Sequence, residues 1–256
     1  MIRYVLPALF TLFIWWSSTA AIVFLYRRPG SFRWTFPLAT ITAGAALFGL
    51  WATRNDTSIL AAYLAFVCGV AICGWHLLSY YSGVATGPRL SARQQHWPRL
   101  PQAIYASLYH ELIGVALAAW GIALTWNAPN QVGIGTFLLL WAMHQSARLN
   151  VLLGVRNFNV RMLPRHLHWI EQLLSKRTSN LYFPFSIIVT VSLTVVLALR
   201  ALAPGASAFE AVGSTFLCLM MAMAFFEHAL LMLPEQEWLL KFLAMELPPP
   251  NLIVEE

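Results

Sequence analysis

Seven histidines are spread through this chain, and most lie where histidine is least expected. His76, His110, His144 and His228 fall inside strongly apolar runs, and His110 and His228 each have a glutamate beside them, Glu111 and Glu227. Arg148 follows His144 by four residues, so the two share a helix face. Imidazole with carboxylate suits Zn or Fe(II). Imidazole alone can serve as an axial ligand to a tetrapyrrole metal. The candidate cofactor-binding set is therefore His76, His110, Glu111, His144 and Arg148. The candidate metal set is His110, Glu111, Glu227, His228, His166 and His168. A hydroxylase-type di-iron centre is disfavoured, because neither HxxxH nor HxxHH occurs. His166 and His168 form HxH, and on an α-helix they would point about 200° apart.

A structural reading stands beside each of these. Buried His–Glu pairs often satisfy one another and lock helices together, and Arg148 could serve only as counter-ion to Glu111 or Glu227. Asn150, Asn157 and Asn159, at the end of "HQSARLNVLLGVRNFN", fit a helix exit where asparagine bonds loop backbone. Met220, Met221 and Met223 read as packing. So do the three cysteines, Cys68, Cys73 and Cys218, which form no CxxC.

The elements that must position these groups are membrane helices. Of the 256 residues 59% are hydrophobic and 10% charged, against about 25% charged in a soluble domain. The mean hydropathy is +0.65. Seven segments, near 4–26, 35–53, 58–81, 103–126, 131–154, 183–203 and 209–233, are long enough to cross roughly 30 Å of hydrocarbon. Lipid requires their backbone to be satisfied internally, so they are read as helices. The first is taken as a retained span, since it is too long for a signal-peptide core.

Charge orients the bundle. Twelve Lys and Arg lie on one side of it: Arg27, Arg28, Arg33, Arg89, Arg93, Arg99, Arg156, Arg161, Arg165, Lys176, Arg177 and Lys241. Arg3, Arg54 and Arg200 lie on the other. The positive-inside rule puts the N-terminus in the periplasm and the C-terminus in the cytoplasm. The net charge of +6 is thus a topology signal with anionic-lipid contacts, and no nucleic-acid partner is implied. The expected fold is an all-α polytopic membrane bundle over 1–233, with about seven transmembrane helices. It carries an amphipathic cytoplasmic loop helix near 164–177, with Leu167, Ile170, Leu173 and Leu174 on one face. Residues 234–256 would form a short cytoplasmic amphipathic helix around Trp238, Leu239, Phe242 and Leu243, then a mobile tail. At about 1.5 Å per residue, His76, His110 and His228 fall about 8–10 Å from the inner ends of their spans, and His144 about 15 Å. The histidine of "HE" and of "EH" would be shallow and the glutamate deep, in a site open to the cytoplasm.

"YHELIG" (109–114), "NAPNQVGIGTFLLLWAMHQSARLNVLLGVRNFN" (127–159), "LPRHLHWIEQLL" (163–174) and "FEHALLMLP" (226–234) resemble the photosynthetic complex assembly proteins of purple phototrophic bacteria. This is the PuhE family, named from its place beside the reaction-centre H-subunit gene. The resemblance implies a multi-pass protein of the bacterial inner (cytoplasmic or intracytoplasmic) membrane. It would assist assembly of the reaction centre and its core antenna and affect bacteriochlorophyll supply. Its implied partners are reaction-centre or light-harvesting subunits and bacteriochlorophyll biosynthesis enzymes. The implied guest is bacteriochlorophyll, a precursor, or a divalent metal. His110, Glu111, Asn150, Arg156, Asn157, His166, His168 and His228 match residue by residue, without any catalytic role attached. Two other readings remain. One is a membrane metalloenzyme acting on a tetrapyrrole or lipid. The other is a transporter, disfavoured because no internal repeat or paired broken helices are found.

Overall fold

The computed structural model describes residues 2–26, 32–91, 93–158, 160, 163–175 and 177–233. Arg27, Arg28, Asn159, Arg161, Lys176, Lys241 and the expected helix and tail over 234–256 lie outside the described residues. The elements are α1 (Ile2–Tyr26), α2 (Phe32–Thr53), α3 (Ile59–Tyr81), α4 (Arg99–Ala106), α5 (Leu108–Leu124), α6 (Val132–Leu153), α7 (Tyr182–Ala201) and α8 (Ala208–Met232). Among the described residues there is no strand.

Five of these helices, α1, α2, α3, α7 and α8, are long and apolar enough to cross a membrane. A sixth crossing is available if α4 and α5 count as one span bent by 65°. The expected span near 103–126 is therefore not one straight helix. It breaks at Ser107, whose hydroxyl bonds back to the Ala103 carbonyl at 2.9 Å. The remaining segment, α6, has 22 residues, but its second half carries His144, Gln145, Arg148 and Asn150 and is less apolar than the five.

Packing explains why α6 tolerates those polar groups. It sits against α3, α5, α7 and α8, so much of its surface meets protein and not lipid. Two apolar clusters flank it. In one, Ala62, Phe66 and Val70 of α3 meet Val132 of α6 and Val212, Phe216 and Met220 of α8. Phe66 and Phe216 stack at 4.4 Å with 15° between their planes. In the other, Leu50 of α2, Ile72 and Cys73 of α3 and Ala118 of α5 pack on Ile134 and Phe137 of α6. The close approach of α3 and α6 needs a glycine. A methyl carbon at Gly133 would lie 2.5 Å from the Ala65 carbonyl oxygen. Small residues serve this purpose where lipid offers helices no hydrophobic drive to associate. Large apolar side chains on the outside, among them Phe13, Ile41, Trp120, Ile188 and Leu199, are exposed, as a lipid-facing surface requires.

The ends of the bundle are pinned by asparagines. Asn130 donates to the carbonyls of Thr53 (3.1 Å) and Asp56 (3.2 Å), joining the α2–α3 turn to the start of α6. At the other end, the Asn157 amide donates to the Leu230 carbonyl at 3.0 Å and also to that of Leu233. Asn180 donates to Gly154 at 2.8 Å. Asn157 thus bonds backbone at a helix exit, as its position suggested.

The loop expected to form an α-helix near 164–177 is instead a 3-10 segment, Arg165–Leu173. Pro164 at its start supplies a suitable φ but no donor. Leu167 and Leu173 are fully buried and the segment packs on α4, so the expected apolar face is used.

Candidate functional site

His76, near the end of α3, and His110, in the first turn of α5, are both fully buried. Their rings stack at 3.8 Å with 11° between planes. Nε2 of His76 lies 3.0 Å from the His110 carbonyl oxygen, so that nitrogen carries the proton and donates. The break between α4 and α5 makes this possible. It turns the start of α5 inward, and the His110 amide then donates to the Thr86 carbonyl at 3.0 Å. Gly114, one turn further on, leaves room for Trp141: a methyl carbon there would lie 2.6 Å from the indole nitrogen.

His144 of α6 meets His110 edge to face at 6.4 Å and 77°. Tyr80 of α3 covers another side of His110 at 4.8 Å. Arg148, one turn beyond His144, lies over the Tyr80 ring at 5.3 Å and forms an ion pair with Glu111. It also donates to Oε1 of Gln145 at 3.2 Å. All five residues of the candidate cofactor set thus come together at the junction of α3, α5 and α6.

The two neighbours on α5 are placed differently: His110 is sealed inside the bundle and Glu111 is partly exposed. Glu111, Arg148, His144, Gln145 and Tyr80 line a pocket of about 510 Å³. The pocket is closed by Ala103 and Ile104 of α4, by Leu149 and Leu152 of α6 and by Trp169, Ile170 and Leu173 of the 3-10 segment. One end is polar and the rest apolar, the combination that binds an amphiphilic small molecule. The stacked pair lies behind this wall, with Nδ1 of His76 and both ring nitrogens of His110 buried and unpartnered. Two rings 3.8 Å apart leave no gap for a flat macrocycle between them. Of the site histidines, His144 is the one that faces the pocket.

The candidate metal set does not assemble. Among the described residues no three His, Cys, Asp or Glu side chains converge where an ion could be held. His228 is fully buried, but both its nitrogens are engaged: Nδ1 lies 2.7 Å from the Ala224 carbonyl and Nε2 2.9 Å from the Ser146 hydroxyl. Tyr182 donates to the same hydroxyl at 3.2 Å. Glu227, one residue earlier on α8, is exposed on the outside of the bundle beside Trp15. Adjacent residues on a helix point about 100° apart, so "EH" cannot turn both groups inward. Glu111 is occupied by Arg148. Nε2 of His168 lies 3.0 Å from the Leu163 carbonyl, while His166 packs on Gly83. Partial desolvation there, followed by the neighbouring His168, holds the His166 imidazole below its ordinary pKa. His110 and Glu111 therefore belong to one place, His228 to a second, Glu227 to a third and the HxH pair to a fourth.

Sequence reasoning missed Tyr80, Gln145 and Trp141. Each is of a type common in membrane cores, and only the fold brings them to the histidines. Ser146, hydrogen-bonded to His228, was missed for the same reason.

The chain is 31% identical over 241 residues to an uncharacterized 30.4 kDa protein in the puhA 5′ region of Rhodobacter capsulatus, a match covering 90% of this chain and 86% of that protein. No solved structure matches it. A family model described as "Protein of unknown function (DUF3623)" matches residues 1–246, and the chain belongs to that family.

Proposed function

We propose that this chain is an accessory factor for assembly of the photosynthetic reaction centre and its core antenna, and that it holds a pigment or pigment precursor in the pocket between α6 and the 3-10 segment. The observation that carries the reading is the pocket itself: an apolar chamber with a histidine, an arginine–glutamate pair and a glutamine at one end. Its chemistry matches a guest with an apolar body and a polar edge. The gene position of the relative, in the puhA 5′ region, and the resemblance in "YHELIG", "LNVLLGVRNFN" and "FEHALLMLP" support the photosynthetic context.

In this reading the protein crosses the bacterial cytoplasmic or intracytoplasmic membrane seven times, α6 being the seventh crossing because protein and not lipid surrounds its polar half. The asymmetry of Lys and Arg supports an N-terminus in the periplasm and a pocket near the cytoplasmic face. Guests could then pass from bacteriochlorophyll biosynthesis enzymes to reaction-centre or light-harvesting subunits. His144 would supply the imidazole that holds a magnesium tetrapyrrole, and Arg148, Gln145 and Glu111 would orient its polar substituents. The metalloenzyme alternative gains nothing from the geometry, since its ligands lie in separate places.

The test is deletion of the gene in a phototroph and complementation with the wild type and with Ala147→Trp, which fills the pocket. The expected result is lowered reaction-centre and core-antenna absorbance in the deletion, restored by the wild type and not by A147W, with no single biosynthetic intermediate accumulating. Normal complex yield in the deletion strain would reject the assembly role.

A further inference from the structure

The polar end of the pocket holds unpartnered donors beside the acceptor side chains of Glu111, Tyr80 and Ser107. Both side-chain hydrogen bonds of Arg148 leave from Nη1, one to Glu111 and one to Gln145. Among the described residues Nη2 and Nε of Arg148 have no hydrogen-bond partner. Nε2 of Gln145 is buried and unpartnered, and Gln145 lines the pocket. His144, one residue before it, lines the pocket as well. A buried donor without an acceptor, as at Gln145, is costly, and a native site normally supplies the missing oxygen atom; the Arg148 side chain is partly exposed and open to a ligand. Arg148 and Gln145, within about one turn of α6, thus present unpartnered donors to a chamber whose far side, at Leu100, Ile104, Leu152, Trp169 and Leu173, offers no acceptor side chain.

We infer that the pocket selects an amphiphile whose head is a single carboxylate, and that Glu111 is the resident stand-in for that head. This rests on the pocket reading above and narrows it. Arg148 already holds one carboxylate, so the guanidinium is in place for another. Among the described residues Arg148 is the one Lys or Arg lining the pocket, so once Glu111 is displaced it compensates a monoanion, whereas a phosphate brings a second charge with no partner. The incoming carboxylate takes the place of the Glu111 carboxylate on Arg148 and accepts from the Gln145 amide, while Glu111, which is partly exposed, turns to water. The apolar body, a long acyl chain or the ring of a tetrapyrrole acid, fills the space under the 3-10 segment. A competing internal carboxylate makes an unusual demand: removing it must tighten binding, whereas a purely structural ion pair would only be damaged by its loss.

The test uses the full chain in nanodiscs and displacement of a fluorescent polyene fatty acid by palmitate, hexadecanol or hexadecyl phosphate. Palmitate is expected to displace the probe at least about tenfold more effectively than either competitor, the scale of a charge-assisted bidentate contact. Glu111→Gln is expected to tighten palmitate binding several-fold and Arg148→Gln to weaken it at least about tenfold. Arg148→Lys, which keeps the charge and loses the planar fork, is expected to fall between and guards against misfolding of R148Q. Equal displacement by hexadecanol, stronger displacement by hexadecyl phosphate, or unchanged palmitate affinity in both E111Q and R148Q would overturn the inference. Complementation of the deletion strain reads the assembly role separately. Failed palmitate binding with pocket-dependent complementation sinks the carboxylate assignment alone, and carboxylate-selective binding without an assembly phenotype sinks the assembly reading alone.

Discussion

At the scale of single residues, polar groups in this membrane bundle divide into those that face the pocket and those that hold helices together. His228 belongs to the second kind. It ties α8 to Ser146 of α6, and its neighbour Glu227 stands outside the bundle. A metal site built on "EH" would make the two substitutions equally harmful; the observed geometry makes them unequal. His228→Ala is expected to lower stability by about 2 kcal/mol or more, through a lost buried hydrogen bond and a cavity, while Glu227→Ala stays within about 0.5 kcal/mol. Thermal unfolding in one detergent, followed by tryptophan fluorescence, checks both. Arg148→Gln should cost about 1–3 kcal/mol by leaving Glu111 unpaired in a half-buried position. The histidines of interest were legible in the sequence because an ionisable group in an apolar run needs a reason. Their pairing was not. Depth along a helix follows from counting residues, but direction around it depends on which neighbour packs where. His110 was placed level with His76 correctly, and His228 drew the same expectation from a similar depth without sharing the site.

Helices as elements were easier to read than their breaks. The apolar runs of α1, α2, α3, α7 and α8 define their own limits within a few residues, because hydrocarbon thickness sets the length. The Ser107 break is different. "PQAIYASLYHELIG" contains no glycine or proline where the chain bends, and the turn is held by Ser107 and by the His110 amide on Thr86, a partner more than twenty residues away. The 3-10 winding of Arg165–Leu173 was hidden likewise, since leucines at that spacing suit either helix. The α3–α6 contact carries its own prediction. Gly133→Ala forces a methyl group onto the Ala65 carbonyl and is expected to destabilise by about 1–3 kcal/mol. Gly44→Ala, in open space on α2, should be neutral or stabilising by up to about 1 kcal/mol. Melting curves of the two variants side by side decide the matter, and equal shifts would mean that α3 and α6 are not in backbone contact.

For the whole molecule, composition indicates a membrane, and kinship adds a likeness to a protein in the puhA 5′ region. Neither says what the bundle does. The function proposed here depends on a chamber that exists only once α4, α6 and the 3-10 segment meet, which is why it could be expected as a polar site and not drawn as a pocket. The claim that this chamber holds a pigment or its precursor is tested most directly by purifying the wild type and A147W from pigment-producing cells and recording their absorption spectra and extracted cofactors. The wild type is expected to carry a tetrapyrrole in near-stoichiometric amount and A147W to lose it with the fold intact. A wild-type protein that is colourless, free of extractable pigment and still fully able to restore assembly would contradict the account.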